Sequence, residues 1–215
     1  MSTEQACELI HNAAHLARKK QQSPHGLWWE QAAFAAVYGG RWRIFTGRTS
    51  DTPYLLRCWL TPKAPGDSDL HSVHLATVLH FFARGDDDDA LHDHPCDFVS
   101  YLLEGMYSEE LPALDWPQRG RDYNSQRISV NHHTGEQRVI EPIIIRGPLT
   151  TIFKDHCAGD RIIHKAEDLH AVKNVEPGTV SIVQMGAFRR PWGFHPPGKP
   201  WVEAHAYLDV KKETA

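Results

Sequence analysis

The chain has 215 residues, a formal net charge of -4, 41% hydrophobic and 23% charged residues, which is the make-up of an ordinary globular protein. The acidic balance argues against a generic nucleic-acid binder, and no apolar run approaches the ~18 residues that cross a bilayer. Length favours one domain with an appended helical segment.

In chain order, residues 3–20 read as an amphipathic helix. Ala6, Leu9, Ile10, Ala13, Ala14, Leu16 and Ala17 form its apolar stripe, and Arg18-Lys19-Lys20 suits its C-terminal end. Ser23-Pro24-His25-Gly26 breaks it. A second helix is expected over 27–38, stopped by Gly39-Gly40. Trp28 and Trp29 on this helix are expected to pack on the rest of the fold. The character then changes to short β-branched and aromatic runs between Gly, Pro and Asp turns. Strands are expected at 41–45, 54–60, 74–83, 98–107, 128–131, 137–146, 150–155, 161–164, 171–175, 179–188 and 201–208. That spacing predicts an all-β sandwich or barrel. Thr134-Gly135-Glu136 and Glu176-Pro177-Gly178 read as hairpin turns. The segment 112–125 reads as a long loop. The expected division is a helical extension at 1–50, a β-barrel at 51–210 and a tail at 211–215.

His92-Asp93-His94 is the most informative feature. On an extended strand, side chains two residues apart point the same way. His170, from a distant strand, can complete a set of three imidazoles suited to Fe, Mn, Ni, Zn or Cu. Four scattered cysteines without a CxxC pair argue against a zinc ribbon and fit reduced thiols in a cytoplasm. The N-terminus lacks a basic-then-apolar secretory pattern. GxSxG, Walker and GxGxxG motifs are missing from the sequence.

Gly85, six residues, His92-Asp93-His94, then Phe98, six residues and Gly105 resembles the first cupin motif. Gly159, ten residues, His170, three residues and Asn174 resembles the second. The resemblance covers roughly 54–210. It implies a double-stranded β-helix (a jelly-roll barrel) with an N-terminal α-helical extension, and a metal held by His92, His94 and His170. The family's glutamate ligand falls at Phe98, which cannot bind a metal. Asp97, one residue earlier, is the candidate fourth ligand or a partner for a histidine ring, with Pro95 free to bulge the strand. Lys165 and Glu167 replace the second motif's Pro and inner Gly. Without a glutamate the resemblance points to three-histidine cupins, which include thiol and diketone-cleaving dioxygenases.

The ending Arg189-Arg190-Pro191-Trp192-Gly193-Phe194-His195 is similar to that of a group of bacterial and phage-borne cupins of unassigned activity. Arg189 could clamp a substrate carboxylate or phosphate; alternatively Trp192 and Phe194 cap the barrel end and the arginines face water. Tyr101 could line the cup or belong to the core. His156 and His164 could compete as ligands. The expectation is therefore a metal-dependent cupin with Fe(II) favoured and Zn, Mn or Ni as alternatives. It would act as an oxygenase on a small polar or anionic molecule, with Tyr101 and Arg189 as catalytic candidates. A metal-dependent isomerase or lyase and a non-catalytic ligand binder are the competing readings. No nucleic-acid or membrane partner is expected. A homodimer through edge strands is admitted by the resemblance, not shown by the sequence.

Overall fold

In a computed structural model, residues 2–20, 27–46, 52–61, 75–86, 89–113, 127–130, 137–140 and 151–209 are described. His71, His74, His132, His133, the Thr134-Gly135-Glu136 turn and most of the 112–125 loop lie outside them.

The chain opens with two helices, α1 (Thr3–Lys20) and α2 (Trp28–Tyr38). Among the described residues, fourteen strands follow: β1 (Trp42–Thr46), β2 (Pro53–Trp59), β3 (Ala76–Phe82), β4 (Leu91–His92), β5 (Phe98–Glu104), β6 (Met106–Pro112), β7 (Arg127–Val130), β8 (Gln137–Ile140), β9 (Thr151–Cys157), β10 (Arg161–His164), β11 (Ala171–Lys173), β12 (Val180–Met185), β13 (Gly193–His195) and β14 (Val202–Glu203), with helix α3 (Ala204–Asp209) last.

One sheet runs β1-β2-β3-β12-β5-β10. Two three-stranded pieces, β14-β13-β4 and β11-β6-β9, are joined by an antiparallel bridge between His92 and His170. The amides of these two residues donate to each other's carbonyls at 2.9 and 3.0 Å. His170 leads directly into β11, so the second sheet reads β14-β13-β4-β11-β6-β9. Within these sheets, β3-β12-β5-β10 faces β4-β11-β6-β9, and the chain passes back and forth between them. That order is the jelly-roll double-stranded β-helix. The helical extension is also present.

Alternation along each strand sorts the two faces. Leu56 and Cys58 of β2, Leu79 and Phe81 of β3 and Val180 of β12 face outward and are covered by the helices. Small residues on α1 (Ala6, Ala13, Ala14, Ala17) let it lie close, and Ile10 fills the gap between them. On α2, Trp29 meets Phe81 edge-on at 5.6 Å, whereas Trp28 stays exposed. The opposite faces line the cup: Trp59, Val78 and Val183 pack together with Phe98 and Met185.

Three expectations are corrected by this geometry. The run 98–107 is two strands in different sheets, hinged at Gly105 with φ 74°. A Cβ there would lie 2.4 Å from Thr179 Oγ1, so only glycine fits the corner. Glu176-Pro177-Gly178 links β11 to β12, which lie in opposite sheets, and so crosses the barrel edge instead of closing a hairpin. Residues 204–209 form α3, not a strand. Their buried members, Ala204 and Tyr207, are three apart, and Tyr207 stacks on Phe194 at 4.3 Å.

Candidate metal centre

β4 and the residues after it carry His92 and His94, and the approach to β11 carries His170. The cross-bridge between His92 and His170 fixes one side of the group, and the His94 amide donates to the Ala166 carbonyl at 3.0 Å on the other. One ring nitrogen from each of His92, His94 and His170 lies within 4.8 Å of the others. His94 Nε2 and His170 Nε2 are 2.7 Å apart. Burial, followed by the neighbouring imidazoles, pushes the pKa of His92 and of His94 well below the ordinary value. Both rings are therefore neutral near pH 7 and keep a lone pair for a cation.

Glu109 on β6 supports the group from behind. It is 1% exposed, and it bonds three imidazoles: His170 Nδ1, His164 Nε2 at 2.8 Å and His156 Nε2 at 3.2 Å. Burial alone would raise its pKa, but hydrogen bonds from His164 and His170 outweigh that and hold the carboxyl well below the usual range. With Nδ1 of His170 given to the carboxylate, Nε2 faces the other two histidines with its lone pair. Glu109, His164 and His170 form a second group with cation-ligating potential.

The position where the resemblance puts a glutamate is walled by Phe98. Its ring lies 4.6 Å from that of His94 and 4.8 Å from that of His164, its cross-strand partner on β10. Trp192 and Phe194 approach His92 at 6.5 and 5.7 Å. The donor set is thus three nitrogens bounded by aromatic rings, with a carboxylate held one shell out.

The other sequence candidates fall elsewhere. Asp97 does not join the three histidines: its side chain is 38% exposed, accepts the Ala166 amide at 2.8 Å and pairs with Arg189. The residues around Pro95 turn it towards the surface. Arg189 is 49% exposed and is shared between Asp97 and Glu167, so it does not reach into the cup. Tyr101 sits three residues from Phe98 and so on the opposite face of β5, where Arg161 Nε donates to its hydroxyl at 3.2 Å. Cys96 is a buried thiol whose pKa is pushed up to about 11, chiefly by burial. His195 is buried too.

Asp93, between the two motif histidines, points away from them and is 0% exposed. Its carboxylate accepts from Arg190 Nη2 at 2.7 Å, the Gly193 amide at 2.7 Å and Trp201 Nε1 at 3.2 Å. Arg190 also donates to the carbonyls of His94 (2.9 Å) and Ala166 (2.6 Å). The Arg-Pro-Trp-Gly-Phe segment is therefore a strap locked onto the strand that presents the histidines. In the sequence this segment shows only as an odd composition, and nothing marks Asp93 as its anchor.

Strand order and the histidine cluster together define a cupin-type double-stranded β-helix with a candidate metal centre in its cup. No protein-family model and no curated protein matches the sequence. Among solved structures, KdgF from a Halomonas species is similar over 69% of this chain and 88% of its own, at 19% identity and a TM-score of 0.33. A RmlC-like cupin from Shewanella frigidimarina is similar over 67% and 86%, at 16% identity and 0.33. The hydroxypropylphosphonic acid epoxidase from S. wedmorenis is similar over 68% of this chain and 56% of its own, at 11% identity and 0.36. Among the described residues, no helix is long and apolar enough to cross a membrane.

Proposed function

We propose that the chain is a metal-dependent cupin enzyme, a mononuclear non-haem iron oxygenase acting on a small polar or anionic molecule. The observation that carries this reading is the convergence of one ring nitrogen from each of His92, His94 and His170, with Glu109 placed behind His170 on its Nδ1 side. Three neutral donors leave the charge of a divalent ion uncompensated, which suits an anionic substrate binding beside it. An iron ion held there supplies redox chemistry that the side chains cannot.

The chain's own residues do the rest. Glu109 fixes the tautomer and angle of His170 and, through His164, closes the floor behind it. Phe98, Trp192 and Phe194 exclude water from the approach to the histidines. Asp93 and Arg190 hold the strand that presents His92 and His94 at a fixed depth.

The test is metal analysis of protein purified without chelator, followed by oxygen uptake over a panel of thiols and diketones. Stoichiometric iron and substrate-dependent uptake are expected, both lost in His92→Ala. Zinc, nickel or manganese with turnover independent of oxygen would replace the oxygenase with the isomerase or lyase reading. Tight ligand binding without turnover would make the cup a binding module.

A further inference from the structure

Behind the cup a second knot of donors gathers on Glu109. The carboxylate projects from β6 in one sheet, His164 ends β10 in the other, and His170 stands at the approach to β11. One ligand atom from each of the three lies within 4.8 Å of the other two. His164 Nε2 and His170 Nδ1 both meet Glu109 Oε1, the first at 2.8 Å. His156 Nε2 meets the other oxygen, Oε2, at 3.2 Å. The four side chains belong to residues only 1–5% exposed, so they sit away from bulk water.

The knot is short of positive charge. A neutral imidazole has one N–H and one bare nitrogen. His164 stands between two carboxylates: Glu109 at its Nε2, and Asp168 Oδ2 at 3.9 Å from its Nδ1. Whichever nitrogen carries the proton, the other turns a lone pair on a carboxylate. His156 repeats the arrangement, with Asp160 Oδ2 at 3.8 Å from its Nδ1. The two outer acids are anchored in place: Asp168 accepts the Lys165 amide at 2.7 Å, and Asp160 the Cys157 amide at 2.9 Å. Among the described residues, the groups bonded to Glu109 are the three imidazoles, with no Lys or Arg. A buried carboxylate in that company calls for a cation. A divalent ion meets these demands together. It takes a Glu109 oxygen and the lone pairs of His164 Nε2 and His170 Nδ1, and it lets His164 Nδ1–H face Asp168, the usual carboxylate–histidine–metal pattern. Two imidazole nitrogens and one carboxylate oxygen are a zinc-type donor set.

We propose that Glu109, His164 Nε2 and His170 Nδ1 bind a second divalent cation of zinc type, and that the His170 ring bridges it to the ion of the cup. Binding at Nδ1 displaces the proton that His170 shares with Glu109 and releases it to solvent. Nε2 stays directed at His92 and His94. The reacting ion of the cup remains a single one, because the second is shut off from bulk water by the burial of its ligands. Since Glu109 and His164 belong to opposite sheets, the second ion also ties the two walls of the barrel together.

The experiment strips the full chain with chelator and titrates it with zinc in competition with a chromophoric chelator, which counts tightly held ions and passes over exposed histidines. The parent chain should hold two equivalents. His92→Ala should keep one, the ion on Glu109, and His164→Gln should keep one, the ion of the cup. Asp168→Asn alters a half-exposed side chain outside the knot and should hold two, one of them about tenfold more weakly. It stays informative if His164→Gln fails to fold. A parent chain that holds a single equivalent dependent on His92, or none, overturns the proposal, with protons then supplying the positive charge. Two equivalents in folded His164→Gln overturn it as well, as does parental affinity for both ions in Asp168→Asn where His164→Gln does not fold. A single equivalent lost in His164→Gln but kept in His92→Ala supports the ion on Glu109 and strikes the metal reading of the cup alone.

Discussion

At the scale of single residues, two acids near the histidines stand in opposite surroundings: Glu109 is buried against three imidazoles, and Asp97 is half-exposed beside Arg189. His92 and His94 follow from period-2 geometry, and His170 from its spacing to Asn174, which adopts a left-handed φ of 48° and bonds Ser108. Glu109 was hidden because nothing in a one-dimensional pattern shows a carboxylate reaching imidazoles 47, 55 and 61 residues away. The two acids therefore make opposite predictions. Glu109→Gln keeps the volume but weakens the hold on His170 Nδ1, and metal affinity should fall about 10–100-fold, read by competition with a chromophoric chelator. Asp97→Ala removes a half-exposed pair with Arg189 and the acceptor of the Ala166 amide, and should leave metal content intact while lowering stability by about 1–2 kcal/mol. Loss of metal in Asp97→Ala with retention in Glu109→Gln would invert the assignment.

At the scale of elements, the helices and most strands were legible from periodicity, but which face of each strand points inward was not. Strand β2 reads as apolar on both sides, with Leu55, Leu56, Cys58 and Trp59 all buried. Only the helices lying on Leu56 and Cys58 show that Arg57 faces the cup. The strap at 189–195 was visible as an odd composition, yet its anchor was unreadable because Asp93 and Gly193 are 100 residues apart. Breaking that anchor has a calculable consequence. Asp93→Ala leaves the Arg190 cation, itself 7% exposed, buried without its carboxylate, and should destabilise the fold by about 3–5 kcal/mol. Gly193→Ala strikes the same strap differently: its Cβ would lie 2.1 Å from the Val202 carbonyl, so the pairing of β13 with β14 must open. Urea midpoints of both variants should drop. An unchanged midpoint in either would mean that the strap does not hold the histidine strand.

At the scale of the whole molecule, the cup concentrates bases that folding keeps uncharged. His80, His92 and His94 all have pKa values lowered well below 6.5, with burial as the leading cause. In the unfolded chain each titrates near 6.5. Below that pH the unfolded state binds more protons than the folded one, so stability falls as pH falls. Each such histidine contributes a slope of at most about 1.4 kcal/mol per pH unit. Glu109 adds to the same trend lower down: its carboxyl is held ionised in the fold, and that stabilisation begins to fade as pH drops through the ordinary glutamate range. Chelated protein should therefore lose stability in two stages, from about pH 6.5 and again from about pH 4.5. Urea unfolding at closely spaced pH values between 8 and 4 measures this. Adding one equivalent of iron or zinc should raise stability at pH 7.5, and the gain should shrink at pH values low enough to protonate the histidines in the fold, because protons and metal compete for the same lone pairs. A profile that stays flat from pH 8 to 5 would mean that these imidazoles take up protons in the fold as readily as in the unfolded chain, so that burial does not keep them uncharged.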